Sequence, residues 1–354
     1  MIVIDKRINV FLVCSCYMIM TDLSIRIWAF PNHRSSENSS IEVDKYNLSK
    51  PEIIAYQAVL SILSFVGTAG NLFTILALLK SSKLRQKSTT KFVVSLATSD
   101  LLYCTITMPM LVWTSSNEFE LDDAMCPFYG IVLYAPIAIS LITLTSIAIN
   151  RYVIVCHNAI YETFYSNYKV FLKIALIWFI GFGAHFLPLF EIWGKFGLIE
   201  TKLRCDIITK DGKSPKIFFA LLFSVLPMVI MIFCYTMIFF KIRHMKKELQ
   251  ELNMKGNRDD REVLKMMFTL FICYLVCMIP IAIIQIIDPL KQKIRWHIIP
   301  GVIFTGQAIT NPFVYAFKNS TYKPAFIKLY QQISFCFPFD TSITTETGET
   351  QIKT

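Results

Sequence analysis

Asp100 is the only charged residue in the stretch 92–117, and it stands near its middle. Asn71, Ser140 and Asn311 lie at comparable depths in three other uncharged stretches. A carboxylate without water is costly to ionise unless a cation or several donors offset it. Two chemistries fit such a set. It holds a cation or a proton, or it forms hydrogen bonds between helices. Polarity alone leaves both open.

Leu133, Ile137, Ser140, Leu144 and Arg151 recur on one helical face, which places Arg151 below Ser140. Cys126 precedes Arg151 by a helix length of about 37 Å, so the two residues mark opposite membrane faces. Cys205 lies in the polar segment 194–216 on the same side as Cys126. That side is the oxidising one, and Cys126–Cys205 is the expected disulfide. Cys104, Cys156, Cys234, Cys273 and Cys277 fall in apolar runs or at their inner ends and read as packing residues. Cys273 and Cys277 are one turn apart, but no His or carboxylate accompanies them as a metal site needs. His157, His185 and His297 sit at different depths, so acid–base catalysis finds no convergent pair. The chain is not expected to be an enzyme or to need a cofactor.

The elements that position these residues follow from where charge is absent. The chain has 354 residues, 54% hydrophobic and only 17% charged, with a net charge of +10. About a quarter charged is usual for soluble domains. Apart from Asp100, His185 and His297, residues 53–79, 92–117, 127–150, 174–190, 217–240, 266–287 and 296–317 carry no Asp, Glu, Lys, Arg or His. Crossing the hydrocarbon takes about 20 apolar residues as helix. The fold class is an all-α membrane protein, a seven-transmembrane helix bundle over 53–318. Pro227, Pro280 and Pro312 are expected to kink three of the helices.

Lys/Arg bias sets the orientation. Segment 241–261 carries seven, whereas 114–125 carries none and is acidic at Glu118, Glu120, Asp122 and Asp123. The N-terminal segment 1–52 is therefore extracellular, in a plasma-membrane protein. Asn38 and Asn47 are glycosylation acceptors there. A short apolar run at 8–20 after Lys6 and Arg7 reads as a signal peptide within 1–25 or as an uncleaved membrane-associated stretch. Tyr322, Phe326, Leu329 and Tyr330 recur at helical spacing between lysines, an amphipathic helix on the inner surface over 319–332. Cys336 then suits palmitoylation. The Thr-rich tail 333–354 reads as disordered.

Motifs on separate helices now carry a family resemblance over roughly 53–332. They are Gly70-Asn71, Ser95 to Asp100, Cys126 with Asn150-Arg151-Tyr152, Trp178, Pro227 with Tyr235, Pro280, and Asn311-Pro312-Phe313-Val314-Tyr315. The chain resembles a rhodopsin-like (class A) G-protein-coupled receptor. Lys83-Leu84-Arg85, Thr89-Thr90, Ile192-Trp193-Gly194 and Trp296-His297-Ile298-Ile299 resemble a melatonin-receptor-like branch of insect orphan receptors.

The resemblance implies a heterotrimeric G protein as inner partner, with Asn150, Arg151, Tyr152, Tyr235, Asp260 and Tyr315 as coupling residues. An Arg151–Asp260 pair would close the resting state; both charges simply reaching water is the other reading. Asp100, Asn71, Ser140 and Asn311 match an allosteric Na⁺ pocket. Arrestin binding to a phosphorylated tail and roles in cell migration or epithelial barrier signalling are further implications. Three departures stand out. Asn150 replaces the usual acid before Arg151, Met278 replaces a usual Trp, and Leu133 stands where amine receptors carry Asp. Amine ligands are therefore not expected.

Candidate ligand-pocket residues are Tyr134, Ile137, His185, Phe219, Ile281, Gln285, Gly301 and Thr305. The loops above them are basic. That suits an anionic or amphiphilic ligand such as a lipid, or else is a solvated loop surface. The ligand's identity stays open. A multi-pass transporter or channel is the rival function. It calls for more buried charges and broken, repeated helices.

Overall fold

Helix α1 (Lys50–Lys80) starts three residues ahead of the first uncharged run because Glu52 caps it. The Glu52 carboxylate accepts hydrogen bonds from Ser49 N and Ser49 Oγ at 2.7 and 2.8 Å, and Pro51 suits a first turn. The computed structural model describes residues 48–116, 125–199, 204–251, 258–287, 294–318 and 321–336. After the short turn α2 (Ser82–Arg85) comes the second span. It consists of α3 (Ser88–Leu102), a π-helical turn (Tyr103–Thr107) and α4 (Met108–Ser116). The third span is α5 (Cys126–Cys156), followed by the short α6 (Asn158–Phe164), and the fourth is α7 (Asn167–Leu189). Strands β1 (Lys195–Ile199) and β2 (Arg204–Ile208) form an antiparallel hairpin with Leu198 opposite Cys205. The fifth span is α8 (Lys216–Ala220), a second π turn (Leu221–Val225) and α9 (Leu226–Glu251). The sixth is α10 (Arg258–Ile287).

The seventh run divides at Gly306 into α11 (Ile294–Thr305) and α12 (Gln307–Lys318). Each half is about 18 Å long, so both are needed to cross. Among the described residues, six helices are each long and apolar enough to span alone. Pro280 and Pro312 lie inside continuous helices. Pro227 instead follows the second π turn, and Pro109 follows the first. Lys323–Cys336 forms α13. It begins and ends four residues later than the spacing suggested.

The spans bury polar groups and expose apolar ones. Asn71 and Thr143 are fully buried, whereas Phe65, Phe179 and Ile217 are about 75% exposed. That inversion is what lipid as solvent demands. Packing is close where glycine allows it. A Cβ on Gly181 would come within 2.3 Å of Ile139, and one on Gly130 within 2.3 Å of the Phe196 ring. Two buried apolar clusters result. The inner one includes Phe92, Leu96, Ile147, Leu270, Tyr315 and Tyr322. The outer one includes Tyr103, Cys104, Tyr129, Phe196, Phe219 and Phe223.

Candidate functional site

Asp100 lies between the two clusters, on α3 just before the π turn, and is 3% exposed. Ser140 Oγ donates to its Oδ1 at 2.7 Å, and Asn311 Nδ2 donates to its Oδ2 at 2.6 Å. Spans two, three and seven therefore meet on one carboxylate. Asn71 is engaged elsewhere. Its Nδ2 donates to the carbonyls of Gly67 and Ala308, both at 2.9 Å, which ties span one to span seven. Its Oδ1 is buried without a hydrogen-bond partner. A cavity of about 20 Å³ adjoins Asp100 and Ser140 and is also lined by Ile137, Thr305 and Gln307. This exceeds the volume one water needs. A carboxylate, two hydroxyls and an amide around such a space are oxygen donors of the kind a hard cation takes.

At the inner end, Arg151 and Tyr152 are half-buried and Asn150 is fully buried. Arg151 is close enough to Tyr235 and Tyr322 to act on both electrostatically. The Tyr235 ring packs against Phe271 at 5.3 Å, joining spans five and six. Tyr315 is buried and meets Tyr322 edge-on at 6.1 Å. Tyr152 OH and His157 Nε2 are hydrogen-bonded at 2.9 Å. Among the expected coupling residues, Asn150, Arg151, Tyr235 and Tyr315 thus share one region. The Asp260 side chain lies outside the described residues, as do Asn38, Asn47 and the Cys336 side chain.

At the outer end, Cys126 and Cys205 form the disulfide, with Cα atoms 5.3 Å apart. It pins the hairpin to the top of the third span. Beneath it Tyr134 stacks on His185 at 6.0 Å, and His185 contacts Phe219 and Phe223 at 5.4 and 5.9 Å. Ile137 and Thr305 line the cavity beside Asp100 instead. Ile281 and Gly301 are half-buried and Gln285 is exposed. The expected pocket therefore separates into an aromatic cluster and a deeper cavity.

Asp206 was not among the expected residues. It is 4% exposed and accepts hydrogen bonds from Tyr134 OH and Ile207 N, both at 2.7 Å. Lys216 Nζ stands 3.6 Å from its other oxygen. Its place beside Cys205 gave no signal of this, because strand alternation turns neighbouring residues to opposite faces. Glu191 pairs with Lys210 at 2.6 Å, and the hydrogen bond from that ammonium holds the Glu191 carboxyl below its usual value. Two lysines of the basic rim are thus matched by acids. This weighs against reading that rim as an anion site.

The profile of the seven-transmembrane receptor (rhodopsin) family matches residues 70–315. Protein trapped in endoderm-1 of Drosophila melanogaster is 30% identical over 296 residues, which cover 76% of each chain. G-protein coupled receptor moody of the same organism is 25% identical, over 81% of this chain and 52% of that longer protein. Melatonin receptor type 1A of Mus musculus is 27% identical, over 77% of this chain and 78% of the receptor. The crystal structure of squid rhodopsin shares the fold with a TM-score of 0.69. It is 19% identical and covers 86% of this chain and 94% of its own.

Proposed function

The chain belongs to the rhodopsin family of seven-transmembrane receptors and is a G-protein-coupled receptor, a multi-pass membrane protein; from that premise we propose how its residues divide the work. Arg151 is the group that engages a heterotrimeric G protein at the inner face. The observation that carries this reading is the gathering of Arg151, Tyr235, Tyr315 and Tyr322 where spans three, five and seven end beside α13. Arg offers a rigid donor fork whose charge does not titrate away. Tyr235 and Tyr315 are the residues whose rearrangement exposes it. The receptor sits in the plasma membrane with its N-terminus outside, in keeping with the disulfide at the outer end and the seven Lys/Arg of 241–261 at the inner end.

A ligand enters from the outer side against Tyr134, His185 and Phe219. Apolar ring faces with few polar groups suit a mainly apolar molecule. At mid-membrane, Asp100, Ser140 and Asn311 suit Na⁺, with the free Asn71 Oδ1 near the same layer. Such an ion supplies positive charge where none of these four side chains does. Ligand and ion act by favouring different arrangements of one bundle.

Purified receptor in lipid nanodiscs, mixed with purified G proteins, tests the coupling role. Wild type is expected to accelerate nucleotide exchange. Arg151→Ala is expected to lose at least tenfold of that acceleration at equal receptor concentration. Unimpaired exchange in the variant would overturn the assignment.

A further inference from the structure

The first turn of α3 carries three consecutive hydroxyls, and each holds a different neighbour. Ser88 Oγ donates to the Tyr165 carbonyl at 3.1 Å. Thr89 Oγ1 donates to Asn150 Oδ1 at 2.7 Å. Thr90 Oγ1 and the Tyr322 hydroxyl share a hydrogen bond at 3.2 Å. Successive residues of an α-helix point about 100° apart, so three in a row face three directions. One helix end thereby reaches the turn before α7, the third span and the turn before α13. All three hydroxyl-bearing residues are buried, as are Asn150 and Tyr322.

Two of these neighbours adjoin residues proposed for coupling. Asn150 immediately precedes Arg151. Tyr322 packs edge-on against Tyr315 and lies within electrostatic reach of Arg151. We infer that Thr89 and Thr90 are positioning residues, a neutral clasp that holds Asn150 and Tyr322, and through them Arg151 and Tyr315, in the resting arrangement. The inference rests on the proposed coupling role of Arg151.

The chemistry at Asn150 explains why a clasp is needed. A carboxylate there would attract Arg151 by charge; an amide carries none. Asn150 Nδ2 is also buried without a hydrogen-bond partner, so the Thr89 bond is what orients the side chain. Moving Arg151 or Tyr315 towards a G protein displaces Asn150 or Tyr322, and the bonds weaken in that state. A contact biases an equilibrium by the difference it makes between the two states. The Tyr322 hydroxyl has a defined part in this. A phenyl ring packs equally well on Tyr315 but cannot bond to Thr90.

The test uses the full-length receptor in nanodiscs with two readouts. One is agonist-free nucleotide exchange on purified G protein. The other is the spacing between labels placed at the exposed Lys87 and Lys328, measured with no G protein present. Valine keeps the branched shape of threonine. Thr89→Val and Thr90→Val are each expected to raise basal exchange about fivefold, the effect of one lost hydrogen bond. Thr89→Ser and Thr90→Ser keep the hydroxyl and return exchange to near wild type. Tyr322→Phe matches Thr90→Val, and the double variant shows no further rise. Thr90→Val also broadens the Lys87–Lys328 distribution. Equal rises in the Val and Ser variants, or an unchanged distribution with wild-type exchange, overturn the clasp. A broadened distribution with exchange unmoved here and in Arg151→Ala supports the clasp and refutes the coupling role of Arg151.

Discussion

The outer half of the bundle is tied by a covalent bond between Cys126 and Cys205 and by buried Asp206, which takes Tyr134, Ile207 and Lys216 together. Four hydrogen bonds that tie the inner half are neutral: Thr89 with Asn150, Thr90 with Tyr322, Ser88 with Tyr165, and Trp178 Nε1 donating to Ser95 Oγ at 2.9 Å; charged ones, such as Lys91 Nζ to Asn167 Oδ1, are exposed. A disulfide contributes about 2–5 kcal/mol, whereas a neutral hydrogen bond contributes about 1. The difference matches what each end has to do. The outer half keeps a ligand-facing shape, and the inner half has to change shape for a modest free energy. Asp100 is the layer where they meet, because its partners come from spans two, three and seven at once.

The largest effect is expected from Cys205→Ser. Without the bond, the hairpin loses its anchor on the third span. Surface delivery, counted by labelling intact cells, is expected to fall about tenfold, in line with the loss of a native disulfide. Near-normal delivery would show that the outer half does not depend on that bond. Asp206→Ala comes next. It removes the acceptor from Tyr134 and Ile207 and the ion pair with Lys216. The thermal midpoint of purified receptor is expected to fall by about 5 °C. A change below about 1 °C would make Asp206 a bystander. Trp178→Phe is smaller still. It keeps an aromatic ring and loses only the hydrogen bond to Ser95, for a fall of about 2 °C. A larger fall than in Asp206→Ala would reverse the contrast between the halves.

The seven spans were legible because charge-free runs of sufficient length admit one solution in lipid. Asp100, Ser140 and Asn311 were legible as a depth-matched set, since a carboxylate in such a run has to find partners. The break at Gly306 was not, because hydropathy is blind to backbone geometry. The two π turns were hidden for a related reason. Proline announces a missing donor, but whether the helix widens ahead of it, as before Pro109 and Pro227, or continues, as at Pro280 and Pro312, depends on neighbouring packing. Asp206 read as one more acid in a charged loop, and only the packing of the hairpin over the third span brings it to Tyr134. The Thr89–Asn150 and Thr90–Tyr322 bonds join residues 61 and 232 positions apart, and no local pattern specifies such partners.

That the Asp100 layer joins a fixed outer half to a yielding inner half is tested most directly by one measurement. Agonist-free nucleotide exchange is followed as Na⁺ replaces a large organic cation at constant ionic strength, in wild type and in Asp100→Asn. Wild-type exchange is expected to fall as Na⁺ rises, because the ion favours the arrangement in which it is better bound. The variant is expected to be flat, since its amide lacks the charge that attracts the ion. Equal Na⁺ dependence in the two proteins would contradict this and leave Asp100 as a helix-to-helix hydrogen-bonding group alone.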